Sequence, residues 1–191
     1  MPHPDALKWN TRYSSDPHRS EQKRPHALLT SHLHLLPAPG LAVDMACGTS
    51  ASGLFLAAHK WQVICLDVAE SALRHAQVRA RKDTLPISFA VMDLTYPWLP
   101  VSSFDAILNF YYLARPLWET YKKSLKPGGV LFFETYVWQP GIEMNPAHYL
   151  QPDELRQAFM DWEILHYHEL NCPRSSDKLR QIAQLIVRAP I

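Results

Sequence analysis

The sequence predicts an α/β fold, a doubly wound and mostly parallel sheet with helices on both faces. Three observations predict it. From Leu41 onward, short apolar runs alternate with longer helical patterns, the signature of consecutive βαβ units. Residues 42–53, A-V-D-M-A-C-G-T-S-A-S-G, make a tight small-residue join between the first run and the first helix. Acidic residues, Asp44, Asp67 and Asp93, mark the first three runs. A chain of 191 residues suits one such domain and is short for two.

Each element has its own signal. Residues 1–24 are polar and proline-bearing, with Trp9, Arg12 and Tyr13 set in W-N-T-R-Y, and they read as an arm ahead of a single domain over 25–191. Pro25 can open a helix, and Leu28, Leu29, Leu33 and Leu36 recur at helical spacing until P-A-P-G stops them. Strands are expected near 41–46, 62–66, 87–91, 105–110 and 129–135, and helices near 53–59, 69–81, 115–125 and 152–160. Residues 138–152 hold three prolines and a glycine and are too long for a simple turn, which makes them a candidate lid. The last apolar runs, W-E-I-L-H-Y and I-A-Q-L-I-V-R, flank the polar C-P-R-S-S-D-K, so the sheet should end in an antiparallel hairpin.

Composition narrows the function. Hydrophobic residues at 47% and charged residues at 19% are ordinary for a globular domain and exclude a disordered or coiled-coil chain. A formal net charge of +1 leaves no broad footprint for a phosphate backbone or an anionic membrane, so a small or locally recognised substrate is favoured. His3, His18, His26, His32 and His34 crowd the N-terminal region, but they are scattered over the arm and a helix, so no metal site is expected. Cys47, Cys65 and Cys172 are an odd set with no C-x-x-C pair, which fits a reducing cytoplasm. No stretch reaches the roughly 18 apolar residues of a bilayer span, and the N-terminus M-P-H-P-D-A-L-K-W-N lacks the basic and apolar regions of a leader. The expected setting is therefore cytoplasmic, with oligomeric state left between monomer and homodimer.

The chemistry gathers at the strand ends. A strand-to-helix turn of small residues lets backbone amides and a helix N-terminus approach a bound nucleotide or amino-acid group. Asp67 closes V-I-C-L-D, where a carboxylate can accept from both ribose hydroxyls of an adenosine. Asp93, in F-A-V-M-D-L, can meet the exocyclic amino group of adenine, and the three carboxylates would share one crevice. Asp44 and Asp67 can also be read as helix caps, and Asp93 as a turn residue. Cys47 reads as a small filler in the turn.

The order D-M-A-C-G-T-S, L-D-V-A, M-D-L, F-D-A-I-L-N-F and L-K-P-G-G-V-L-F-F-E-T resembles class I S-adenosylmethionine-dependent methyltransferases over about residues 41–188. Within that class N-F-Y-Y-L-A-R-P-L-W, E-T-Y and D-W-E-I-L-H-Y are similar to the small tellurite-resistance-like and methyltransferase-domain-25 group. The resemblance implies a seven-stranded Rossmann-like sheet of order 3-2-1-4-5-7-6 with the last strand antiparallel. It also implies S-adenosylmethionine as cofactor, leaving S-adenosylhomocysteine as product.

By that resemblance Asp44 and Ala46, Cys47, Gly48 and Ser50 hold the methionine end, Asp67 with Val68 the ribose, and Asp93 with Leu94 the adenine. Asn109 and Phe110 lie beside the sulfonium, and Trp9, Arg12 and Tyr13 cover the cofactor. The family's turn reads D-x-G-x-G-x-G; here Ala46 and Ser50 stand at the outer positions, and Ser50 must take a backbone angle that serine tolerates.

Tyr111, Tyr112, Tyr136, Trp138 and His148 are candidate walls of an acceptor pocket, since aromatic rings shield and attract a sulfonium. Arg115 reads either as an anchor for an anionic substrate group or as the start of a helix. Glu134 reads as a substrate-orienting group or base, or as a carboxylate paired to Arg115. In-line methyl transfer rests mainly on alignment, and an amine or phenol acceptor would add a base or relay, for which His148 and Tyr111 are the candidates. Competing readings are an NAD-linked oxidoreductase, opposed by the missing G-x-G-x-x-G, and a nucleic-acid or protein methyltransferase. N-F-Y-Y lacks both prolines of the N-P-P-Y that positions a flipped base. A non-catalytic S-adenosylmethionine-binding module is the remaining alternative.

Overall fold

The computed structural model describes residues 4–16, 24–141, 145–172 and 180–191. Seven strands form one sheet in the order β3-β2-β1-β4-β5-β7-β6. They are β1 (Leu41–Met45), β2 (Gln62–Asp67), β3 (Ile87–Val91), β4 (Phe104–Phe110), β5 (Leu125–Tyr136), β6 (Glu163–Cys172) and β7 (Arg180–Arg188). The first five pair in parallel, and β7 runs antiparallel to both β5 and β6, closing the hairpin expected at the end of the chain. Residues 173–178 of its predicted polar turn lie outside the described residues.

Alternation along the strands builds a core on each face. Val43, Met45, Leu131, Phe133, Leu185 and Val187 pack beneath helices α5 (Leu117–Ser124) and α6 (Glu154–Ala158) through Leu117, Tyr121, Leu155 and Phe159. Ala42, Val63, Cys65, Leu108, Val130, Phe132 and Ile186 pack beneath α2 (Ala27–Ser31) and α3 (Ala51–Ala58) through Leu28, Leu29, Leu56 and Ala57. Phe104 and Ile107 break the two-residue period yet share one face, because the β4–β5 register shifts between Phe104 and Ala106.

The remaining helices refine the expectation. Helix α4 (Glu70–Lys82) buries Ala72, Leu73, Ala76 and Ala80, with Glu70 in its first turn and Arg79, Arg81 and Lys82 in its last, matching the helix dipole. The helix expected from Pro25 is one turn of α2 and then a 3-10 turn at Leu33–Leu35, broken at His32, whose ring nitrogen Nδ1 bonds the Leu28 carbonyl. The arm is itself helical, α1 (Pro4–Ser15), with no buried residue. It docks on α4 through Asn10, whose Oδ1 accepts from the Ser71 amide at 2.8 Å and whose carbonyl accepts from the Ser71 hydroxyl. Among the described residues no helix is long and apolar enough to cross a membrane.

The predicted lid is pinned where it leaves and rejoins the body. Val137 and Leu150 bridge in parallel, Trp138 N donates to Leu150 O, and Leu150 N donates to Tyr136 O. Among its described residues a 3-10 turn, Pro146–His148, is regular, and residues 142–144 lie outside them.

Candidate active site

The turn after β1 owes its shape to three left-handed residues. Ala46, Gly48 and Ser50 lie at φ 49°, 53° and 48°, at the three alternate positions where the sequence has small side chains. Gly48 is favoured on two counts: its φ is positive, and a Cβ there would press on the Tyr13 hydroxyl, which lies over the turn. Ala46 and Ser50 hold the same conformation at the steric cost a Cβ imposes, about 1–2 kcal/mol each.

Two carboxylates lock this turn from inside. Asp44 Oδ2 accepts from Ser50 Oγ at 3.0 Å and from Gly53 N at 3.1 Å, and Ser50 Oγ also meets Cys65 Sγ at 2.8 Å. Asp67 Oδ2 accepts from Gly48 N and Oδ1 from Ala69 N, both at 2.7 Å. Burial pushes the Asp44 carboxyl up to about 7 against the pull of Ser50 and Gly53, and burial also raises Asp67. Asp44 is thus a turn organiser. With the Val68 amide also donating to it, Asp67 meets three backbone donors and keeps room for one more. Burial and the Cys65 sulfur raise the Cys47 thiol, which suits a filler over a nucleophile. Asp44, Cys47 and Cys65 bring ligand-type atoms within 4.8 Å of one another, and Ser50 Oγ joins two of them.

Around this turn the other predicted cofactor residues fall on two elements. On α1, Trp9 and Tyr13 rings lie 6.3 Å apart, and the Arg12 guanidinium stacks over Trp9 at 5.0 Å. Beyond β3, Asp93 Oδ1 accepts from Thr95 N and Leu94 is buried. Tyr112 sits on this side, its phenol raised by burial and by Asp93, Asp5 and Asp67. Asn109 is 1% exposed; its Nδ2 donates to Tyr112 O while Oδ1 is buried with no partner.

The aromatic residues meet at the ends of β4 and β5. Tyr111, at φ 60°, stacks on Tyr136 at 5.0 Å, Tyr136 neighbours Tyr149, and the Arg180 guanidinium lies over Tyr136 at 5.0 Å. Burial and the Glu134 carboxylate, to which its hydroxyl bonds, hold the Tyr111 phenol protonated. Tyr111 thus stands as a donor to Glu134. His148 sits exposed in the lid's 3-10 turn. Trp138 is half-buried.

Arg115 stands at the start of α5, where its carbonyl accepts from Trp118 N, and it does not pair with Glu134. Its guanidinium bonds the Glu154 carboxylate and the carbonyls of Ala147 and Tyr149, so it ties the lid to α6. Glu134 accordingly has other partners. Val130, Phe132 and Glu134 share the β5 face covered by α2, and this brings Glu134 to His26, the residue ahead of α2. His26 Nε2 lies 3.2 Å from Glu134 Oε1, and Gln184 Nε2 donates to Oε2 at 2.7 Å. The His26 ring stacks on Phe110 at 4.1 Å, and its backbone N–H donates to Ser52 Oγ in the first turn of α3. His26 was grouped with the scattered histidines; the period of β5 against the apolar pair Leu28 and Leu29 was the signal that could have placed it. Of the other N-terminal histidines, His32 packs against His34 and His166, and His3 and His18 lie outside the described residues.

Residues 42–129 match the methyltransferase domain family. With the strand order and the turn already described, they decide the family. Residues 42–129 carry a methyltransferase domain, on a sheet with the strand order of class I S-adenosylmethionine-dependent methyltransferases. The chain is 31% identical over 110 residues to YqeM of Bacillus subtilis (strain 168), a proposed methyltransferase, covering 53% of this chain and 44% of that one. The chain spans about half the length of the curated relatives it matches. In fold, the chain is similar to TehB from Haemophilus influenzae, with a TM-score of 0.76 at 17% identity over 86% of this chain and 62% of TehB. It is also similar to an N-methyltransferase of Haemonchus contortus solved with phosphomonomethylethanolamine and S-adenosylhomocysteine, with a TM-score of 0.67 at 14% identity over 86% of this chain and 52% of that one.

S-adenosylmethionine is the cofactor of this class, and the residues present fit it. The orphaned Asn109 Oδ1 and the remaining lone pair of Asp67 suit its amino and hydroxyl donors, and α3, which begins at the turn with no side-chain cap, suits a carboxylate.

Proposed function

We propose that the chain transfers a methyl group from S-adenosylmethionine to a small-molecule acceptor by in-line displacement. The observation that carries this reading is the β1–α3 turn, three left-handed residues locked by Asp44 and Asp67. Asp67 with Val68 would hold the ribose, Asp93 with Leu94 the adenine, and Asn109 with Ala46, Cys47, Gly48 and Ser50 the methionine end. Asp44 acts through the turn, while Trp9, Arg12 and Tyr13 of α1 cover it. Bound there, S-adenosylmethionine supplies an electrophilic methyl group on a sulfonium.

The chain's own part is alignment and shielding. Phe110, Tyr111, Tyr136 and Tyr149 form a wall whose ring faces suit a nearby positive charge, and Arg115 fixes the lid segment that carries Tyr149. Holding two reactants in line supplies much of the barrier reduction in such a displacement. A near-zero net charge supports a small acceptor over a polyanion, and an odd set of three cysteines with no C-x-x-C pair supports a reducing, cytoplasmic setting. Incubation with methyl-labelled S-adenosylmethionine and a panel of thiols, phenols, amines and carboxylic acids tests the reading. Label in a small product supports it; S-adenosylhomocysteine binding without turnover of any acceptor would instead favour the binding module.

A further inference from the structure

His26 and Glu134 form a pair that the alignment mechanism does not use. They come together because the residue ahead of α2 lands on the β5 face of Val130 and Phe132, at the carboxyl end of the sheet. His26 there touches both halves of the site: its backbone N–H bonds Ser52 beside the cofactor turn, and its ring lies on Phe110 and tilts against Tyr111 at 5.3 Å. Glu134 is 1% exposed and triply bonded, by His26, Tyr111 and Gln184. Burial alone would raise its carboxyl, yet these three donors hold it below the ordinary carboxylate range. An ionised carboxylate facing Nε2 places the imidazole proton on Nε2 and the lone pair on Nδ1, which is buried without a partner.

We propose that His26, oriented by Glu134, is the general base that takes the proton of an acceptor hydroxyl or amine carried on a planar, unsaturated frame. The proposal rests on the methyl-transfer reading and names its acceptor class. The acceptor proton passes to Nδ1 as the heteroatom's electron pair forms the bond to the methyl carbon. The carbon–sulfur pair stays on sulfur, and the positive charge ends on the imidazolium beside Glu134. Tyr111 and Gln184 keep the carboxylate in place. The other titratable groups nearby are Tyr136, stacked on Tyr111, and Cys172 at the end of β6. Stacked Tyr111 and Tyr136 with Arg180 above suit a flat acceptor.

Two measurements test it. In protein without cofactor, the ¹⁵N spectrum of the His26 ring should show the proton on Nε2 and Nδ1 bare; the opposite tautomer would overturn the proposal. In turnover, His26→Asn and His26→Ala should lose about 10²–10⁴-fold in rate with phenol acceptors, with imidazole restoring part of the loss in His26→Ala. Thiophenol, which enters already ionised, should be methylated by wild type and variants alike, and S-adenosylhomocysteine affinity should be unchanged. Phenol methylation indifferent to His26 would overturn the base while leaving methyl transfer standing. No turnover of any acceptor with S-adenosylhomocysteine bound would overturn both.

Discussion

Ser50 Oγ donates to Asp44 Oδ2 over 3.0 Å from a backbone held at φ 48°. The residue that departs from the family's glycine thus exchanges conformational ease for a buried hydrogen bond. Ser50→Gly should relieve about 1 kcal/mol of left-handed strain and lose about as much in the bond, leaving stability within ~1 kcal/mol of wild type. Ser50→Ala keeps the strain and loses the bond, and should cost about 1–3 kcal/mol. Urea unfolding of both variants checks this; equal stability would contradict it.

Asp44 makes stability fall as pH rises. Its folded value, about 7, lies above the ordinary 3.8, so between those values the native state holds a proton that the unfolded chain has released. Stability is then full below about pH 4 and declines by about 1.4 kcal/mol per pH unit toward pH 7. Asp67, also raised, adds a decline of the same sign. Asp44→Asn should flatten the Asp44 share, read as unfolding midpoints across that window. An unchanged slope would contradict the buried carboxyl.

Arg115 should act on the lid more than on the fold. Arg115→Ala removes the bonds to Ala147, Tyr149 and Glu154; with both partners partly exposed, global stability should change by about 1 kcal/mol or less. Amide exchange at residues 146–150 should rise well above wild type. Unchanged exchange there would show that the Val137–Leu150 bridge alone holds the segment.

Helix α1 is joined to α4 through Asn10. It buries nothing, so Asn10→Ala, which removes the acceptor for Ser71 N, should speed amide exchange throughout α1 while the midpoint of global unfolding stays put. Protection of α1 equal to wild type would place its hold elsewhere.

The sheet was legible because two-residue alternation and βαβ spacing leave few arrangements, and the D-x-A-x-G-x-S turn names its own geometry. Side-chain partners were not. Arg115 could reach either Glu134 or a substrate from sequence alone, and only the fold brings Glu154 and the lid carbonyls to it. His26 stands 108 residues before Glu134 in the chain, a pairing that no local spacing encodes. Helix α1 was hidden because a helix that buries no residue leaves no apolar stripe to read.

The central claim is that the turn over Asp44–Ser50, with Asp67, holds S-adenosylmethionine. Calorimetric titration with S-adenosylhomocysteine tests it most directly. Saturable binding at one site per chain, weakened at least about tenfold, or ~1.4 kcal/mol, in Asp67→Ala is the predicted result. No heat of binding at millimolar ligand, or an affinity indifferent to Asp67, would contradict it.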